Sequence, residues 1–154
     1  MTLLGVISDT HGLLRPEALD ALRGSELIIH AGDVGQSEIL ERLRNIAPVV
    51  AVRGNVDTAP WAEDLPETNT VEVGGHLIFV LHDRSQLAVD PAHAGFAAVV
   101  FGHSHKPLAE VQNGVLFLNP GSAGPRRFRL PISIARLRVS PMGLQPEIIE
   151  LHQA

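Results

Sequence analysis

Aspartate, histidine and asparagine recur at five places where apolar runs stop. Asp9 and His11 follow the run at 3–7, Asp33 follows 27–29, and Asn55 with Asp57 follows 49–52. His82 and Asp83 follow 77–81, and His103 with His105 follows 97–101. These side chains bind divalent metals through nitrogen and oxygen. The chain has no cysteine, which excludes a thiolate site, a disulfide scaffold and a cysteine nucleophile. Any one of these short motifs is common. Five strand ends that each deliver a ligand type, in the order Asp-x-His, Gly-Asp, Gly-Asn-x-Asp, His and Gly-His-x-His, predict a dinuclear metal site. Four of the eight histidines stand outside the series. His30 is read as a packed, hydrogen-bonded residue, and His76, His93 and His152 as surface or loop residues. Ser8 has no identifiable base partner, which argues against a serine hydrolase.

The elements that must position these residues are legible from periodicity. Short apolar runs at 3–7, 27–29 and 49–52 read as buried strands. Between them, 16–23 and 37–46 carry apolar residues at helical spacing. Pro16 suits a first helical turn and Ser37 an N-cap. This alternation predicts a parallel βαβαβ layer. An irregular connection over 58–67 follows. A hairpin turns at Gly74-Gly75, another strand lies at 97–101, and Asn113-Gly114 marks a second hairpin. Late strands are expected at 132–139 and 145–151. The expectation is one domain, 1–154, with a two-layer sheet core and helices outside. Ligands in such sheets bind beyond the carboxyl ends of the strands, so residues distant in sequence converge in one crevice.

The series Asp9-Thr10-His11, Gly32-Asp33, Gly54-Asn55-Val56-Asp57, His82 and Gly102-His103-Ser104-His105 resembles the calcineurin-like metallophosphoesterases. With Asn119-Pro120-Gly121-Ser122 and the small size, it is similar to their compact bacterial and archaeal phosphodiesterase branch. The resemblance implies an α/β fold, a four-layer α/β/β/α sandwich of two mixed β-sheets flanked by helices. It implies that Asp9, His11, Asp33 and His105 hold one metal, that Asp33, Asn55, His82 and His103 hold a second, and that Asp33 bridges them. Asp33, Asn55 and His103 are then the candidate catalytic residues. The implied reaction is hydrolysis of a phosphate ester by a metal-bridging hydroxide, without a covalent enzyme intermediate. Mixed imidazole and oxygen ligands suit Mn²⁺, Fe²⁺, Zn²⁺ or Ni²⁺ over Mg²⁺ or Ca²⁺ and do not choose among the four; two ions are expected, Mn²⁺ foremost.

Two positions depart from the family pattern. Many larger relatives carry a histidine, thought to protonate the leaving group, where this chain has Val56, which transfers no proton. The family usually shows His-Gly where this chain has His82-Asp83-Arg84. Asp83 either orients His82 or is a surface residue at a loop start, and Asp83 and Arg84 are placed at the substrate mouth. Asp57 is either a support behind the metal ligands or a turn former.

Charge and composition bound the partners. The net charge of −5 argues against a nucleic-acid partner. Arg126, Arg127, Arg129, Arg136 and Arg138 read as a solvated rim and one strand face. No apolar run spans a bilayer and no signal peptide is seen, so a cytoplasmic protein acting on a small phosphate ester is expected. Pairing of identical chains is left open. Two alternatives stand beside the phosphodiesterase. One is a non-catalytic protein-interaction scaffold of the same fold, a role held by a eukaryotic trafficking subunit. The chain keeps all seven ligand positions, which favours catalysis. The other is a nucleotide or dinucleoside polyphosphate hydrolase, which calls for a basic pocket.

Overall fold

The computed structural model describes residues 1–151. Two mixed five-stranded sheets lie face to face. In the first, β1 (Thr2–Ile7), β2 (Leu27–His30) and β3 (Val49–Ala51) run parallel, linked by α1 (Pro16–Leu22) and α2 (Ser37–Arg44). The sheet is completed on the other side of β1 by antiparallel β9 (Ser133–Ser140) and then β10 (Gly143–Glu150). The second sheet has the order β4 (Thr68–Val73), β5 (His76–Leu81), β6 (Phe96–Val100), β8 (Val115–Asn119), β7 (Leu108–Gln112). Its three inner strands are parallel and its two edges antiparallel.

Strand alternation sorts the side chains into layers. Leu4 and Val6 of β1 face the second sheet and pack with Ile29, Val52, Ile78, Val80, Ala98, Val100, Leu116 and Leu118. Ile7, Ile28, Ala51 and Ile134 face the other way, against Ala18 and Leu22 of α1 and Ile39, Leu40 and Leu43 of α2. A side chain at Gly5 would strike Leu22, so α1 lies close on the sheet there.

The fourth layer is thin. The outer face of the second sheet presents Leu81, Val99, Phe101, Val115 and Phe117, with Phe79, Leu87 and Leu108 beside them. A parallel β5–β6 pair demands a crossover. Here the 82–95 crossover carries, among the described residues, one 3-10 turn at Arg84–Gln86 and no α-helix. Arg84 lies over this face, its guanidinium carbon 4.1 Å from the Phe117 ring centre, and donates to Gln112 (3.1 Å). Arg84, expected at a substrate mouth, has its cation over an aromatic sheet face, while its neighbours Asp83 and Gln86 line the cleft at the candidate site. Ser37 is also corrected as an N-cap. Gln36 holds that position and makes no side-chain cap. The 58–67 connection contains a 3-10 turn at Pro60–Asp64. His152 lies outside the described residues.

Candidate metal centre

All seven ligand-type residues emerge from the same edge of the sandwich. Asp9 and His11 lie just past β1, Asp33 past β2 and Asn55 past β3, while His82 follows β5 and His103 and His105 follow β6. The chain must turn abruptly here. Asp9, His11, Asp33, His103 and His105 all adopt left-handed backbone, with φ between 47° and 71°. Only two other non-glycine residues in the described chain do so, Asn113 and Phe128. The conformation costs on the order of 1 kcal/mol per residue and persists where surroundings over-determine it. Spacing in the sequence carries no signal for it.

Glycines let the loops meet. A Cβ on Gly54 would overlap the Asp33 backbone and carboxylate, and one on Gly102 would overlap Ser8 and crowd Asp9 Oδ2. Each carboxylate is thereby held with one oxygen tied and the other bare. Asp9 Oδ2 accepts from the Ser8 hydroxyl (2.7 Å) and the His103 amide (3.2 Å). Its Oδ1 faces His105 Nε2 at 3.4 Å, His11 Nε2 at 3.8 Å and His82 Nε2 at 3.9 Å. Asp33 Oδ1 accepts from the Val56 amide (3.0 Å), and Oδ2 faces His82 Nε2 at 3.2 Å and His11 Nε2 at 3.6 Å. Asp9 Oδ1, His11 Nε2 and His82 Nε2 are buried with no hydrogen-bond partner among the described residues.

Two compact groups result, Asp9-His11-His105 and Asp9-Asp33-His82. Converging buried lone pairs without partners are what a divalent cation satisfies, so the donor set fits the metals that the ligand types imply. Burial alone would raise both carboxyl pKa values. At Asp9 the imidazoles of His105 and His11 and the Ser8 hydroxyl outweigh burial and hold the carboxyl well below its usual range. At Asp33 His82 and the Val56 amide do the same. Burial would lower His82, but its contact with Asp33 outweighs this and raises it.

Asn55 and His103 stand at the exposed mouth, with Asn55 Oδ1 3.3 Å from His103 Nδ1. Together with His82 and Asp83 they line a cleft of about 320 Å³. His82 Nδ1 bonds the Ala31 carbonyl at 2.7 Å, so this carbonyl sets the ring's orientation and leaves Nε2 inward. Asp83 does not orient His82. It accepts from the Ser85 amide and hydroxyl at the start of the 3-10 turn, and its other oxygen is 3.8 Å from His103 Nε2.

Three supports lie behind the candidate ligands. Asp57 is buried and accepts from the amides of Val34 (3.1 Å), Gly35 (3.0 Å) and Gly54 (2.9 Å), which joins the Asp33 loop to the Asn55 loop. Buried Asn119 donates to the Gly102 carbonyl and to Ser104 Oγ, and Ser122 donates to the Asp9 carbonyl. The Asn119–Ser122 turn, which carries part of the family resemblance, thus braces the loops of Asp9 and His103. The prolonged Asn-Pro-Gly-Ser turn was the available signal.

His30 is fully buried beneath the site. Its Nδ1 accepts from the Gly32 amide (3.1 Å), so its proton is on Nε2, which donates to Thr10 Oγ1 (3.0 Å). Burial lowers its pKa to about 4. The unfolded chain takes a proton near pH 6.5 while the folded chain resists until about 4. Its contribution to stability is thus complete above pH 6.5 and lost as pH falls toward 4. His30→Gln, which cannot titrate, is expected to close on wild type by about 3 kcal/mol between pH 7 and pH 4. Urea unfolding of both proteins across that range measures this; parallel curves would refute it.

Two mixed sheets stacked face to face, with a buried Asp–His cluster and an Asn–His mouth at one set of strand ends, define a phosphoesterase-type α/β sandwich. The chain belongs to the calcineurin-like phosphoesterase superfamily, whose domain profile matches residues 2–142. It is 38% identical to a probable metallophosphoesterase of Methanocaldococcus jannaschii over 98% of this chain and 82% of that protein. Among solved structures, an archaeal phosphodiesterase superposes with a TM-score of 0.79 at 23% identity, covering 96% of this chain and 100% of the other. Vps29 of Chaetomium thermophilum superposes with a TM-score of 0.78 at 19% identity, covering 99% and 98%. These two likenesses bear on the fold alone. The family is one of metal-dependent hydrolases, and no helix among the described residues is long and apolar enough to cross a membrane.

Proposed function

We propose that residues 1–154 form one cytoplasmic phosphodiesterase domain that uses two divalent ions, Mn²⁺ foremost. Asp9, His11, Asp33 and His105 would hold one ion. Asp33, Asn55, His82 and His103 would hold the other. The observation that carries this reading is the pair of bare carboxylate oxygens, Asp9 Oδ1 and Asp33 Oδ2, each facing imidazole nitrogens within 4 Å. Bound there, the ions would lower the pKa of water and offset charge growing on the phosphoryl oxygens.

The chain's own residues do the rest. Asn55 and His103 line the cleft into which a small phosphate ester fits, and Asp33 stands behind them between His11 and His82. Asp57 fixes the distance between the Asp33 and Asn55 loops. Val56, half exposed at the mouth, has no proton to give a leaving group. Esters whose leaving groups need no protonation are therefore favoured.

The test strips the protein with chelator, reloads Mn²⁺, Ni²⁺, Zn²⁺ or Mg²⁺, and follows aryl and alkyl phosphodiesters. Activity should vanish on stripping and return with metal. Aryl diesters should turn over at least about 100-fold faster than alkyl ones, the scale of a missing general acid. A rate that ignores leaving-group pKa would contradict the assignment to Val56. Full turnover without metal would overturn the metal centre, and no turnover with any metal would favour the scaffold.

A further inference from the structure

Four of the chain's five phenylalanines, Phe79, Phe96, Phe101 and Phe117, lie on the second sheet. The fifth, Phe128, is 94% exposed. It also has left-handed backbone, φ 53°, where a bulky residue is strained. The Leu130 amide donates to the Arg127 carbonyl (3.1 Å), which makes Phe128 the first inner residue of a tight turn. The turn stands on a fixed base. Ser122 and Ile132 form a bridge, the Ser133 amide donates to the Ser122 carbonyl, and Arg15 donates to the Gly124 carbonyl.

This turn forms one side of a cleft of about 670 Å³ lined by Ser104, Lys106, Arg127, Phe128, Arg129 and Leu130. Ser104 stands in the chain between His103 and His105, which places the cleft beside the candidate centre. Lys106 is the chain's one lysine. Lys106, Arg127 and Arg129 make no ion pair among the described residues, and no carboxylate lines the cleft. An acidic chain thus gathers three unpaired cations around one exposed aromatic ring. Guanidinium groups match phosphate oxygens, and an exposed ring offers a stacking face to a base.

We propose that this cleft is a subsite for a nucleotide-type substrate, which stacks a nucleobase on Phe128 and places a second phosphate among Lys106, Arg127 and Arg129. The inference rests on the phosphodiesterase reading, since the reacting phosphate would lie at the adjoining metal centre. A small nucleotide fits better than a polynucleotide, because the cations are confined to one cleft on a chain of net charge −5. The cleft supplies the basic pocket that a nucleotide or dinucleoside polyphosphate hydrolase requires.

The test is calorimetric binding of adenosine 3′,5′-bisphosphate to the full chain at low salt, with and without Mn²⁺. Without metal the bare carboxylates repel anions, so binding reports the cleft. One-to-one binding is expected, weakened at least about tenfold by Arg127→Ala/Arg129→Ala and about five- to tenfold by Phe128→Ala. All three residues are exposed, and matching thermal melts would confirm that the variants fold. Adenosine and inorganic pyrophosphate should each bind at least about tenfold more weakly than the bisphosphate. Absence of saturable binding, binding unaltered in the variants, or pyrophosphate binding equally well would overturn the subsite. So would affinity for single-stranded oligonucleotides that grows with length. Hydrolysis of a simple aryl diester in the metal-loaded chain is scored separately, so a failed metal centre and a failed subsite are told apart.

Discussion

Asp33→Asn is expected to lower metal-dependent diester hydrolysis at least about 1,000-fold, equivalent to about 4 kcal/mol of transition-state stabilisation. The amide oxygen can keep the Val56 contact that Asp33 Oδ1 now makes. The amide NH₂ would then occupy the place of Oδ2 and point its protons at His82 Nε2 and His11 Nε2. A donor would stand where two imidazoles and a cation need an acceptor. The fold should survive, because His82 can release its proton and leave no buried charge unpaired. The change in unfolding free energy of the metal-free protein should stay within about 1 kcal/mol. Steady-state rates with saturating Mn²⁺, alongside urea unfolding, measure both effects. Activity within tenfold of wild type would remove Asp33 from the centre.

Asp57→Asn should act in the opposite proportion. The Asp57 carboxylate takes three amide protons, two on Oδ2 and one on Oδ1. An asparagine offers one oxygen, so at least one buried amide faces an NH₂ group. A cost of about 2–4 kcal/mol is expected, from lost charge-assisted bonds and an unsatisfied donor. The same change loosens the tie between the Asp33 and Asn55 loops. Metal affinity should therefore fall by about 10–100-fold, as for other residues that orient ligands from behind. Metal titration of the folded variant checks this. Lost stability with unchanged affinity would make Asp57 a turn former only.

The first half of the fold was readable because buried parallel strands are unbroken apolar runs and their helices keep a 3.6-residue period. β1, α1, β2, α2 and β3 follow that pattern within a few residues. Both hairpins were readable from Gly74-Gly75 and Asn113-Gly114. The make-up of the fourth layer was not, because the 82–95 crossover has no periodicity and covers its sheet with Leu87 and the guanidinium of Arg84. Arg84 read as a mouth residue because it follows His82-Asp83 in sequence, while its guanidinium lies over Phe117 on the outer face of the second sheet. At the site, ligand types were legible because chemistry restricts them. The division of labour within each carboxylate was not, since it depends on which amide or hydroxyl arrives from another loop. Asp57 shows the same limit: spacing marked it as near the ligands, while its three amide partners come from two loops.

The left-handed backbone at Asp9, His11, Asp33, His103 and His105 bears on the choice between enzyme and scaffold. Glycine at any of these positions would relieve on the order of 1 kcal/mol of local strain, set at Asp9 and Asp33 against the loss of the hydrogen bonds their carboxylates accept. A chain free of the need to bind metal could take glycine or asparagine at His11 and His105 with less backbone strain. On the proposed reading, aspartate and histidine at all five places trade some thermodynamic robustness for a preorganised site.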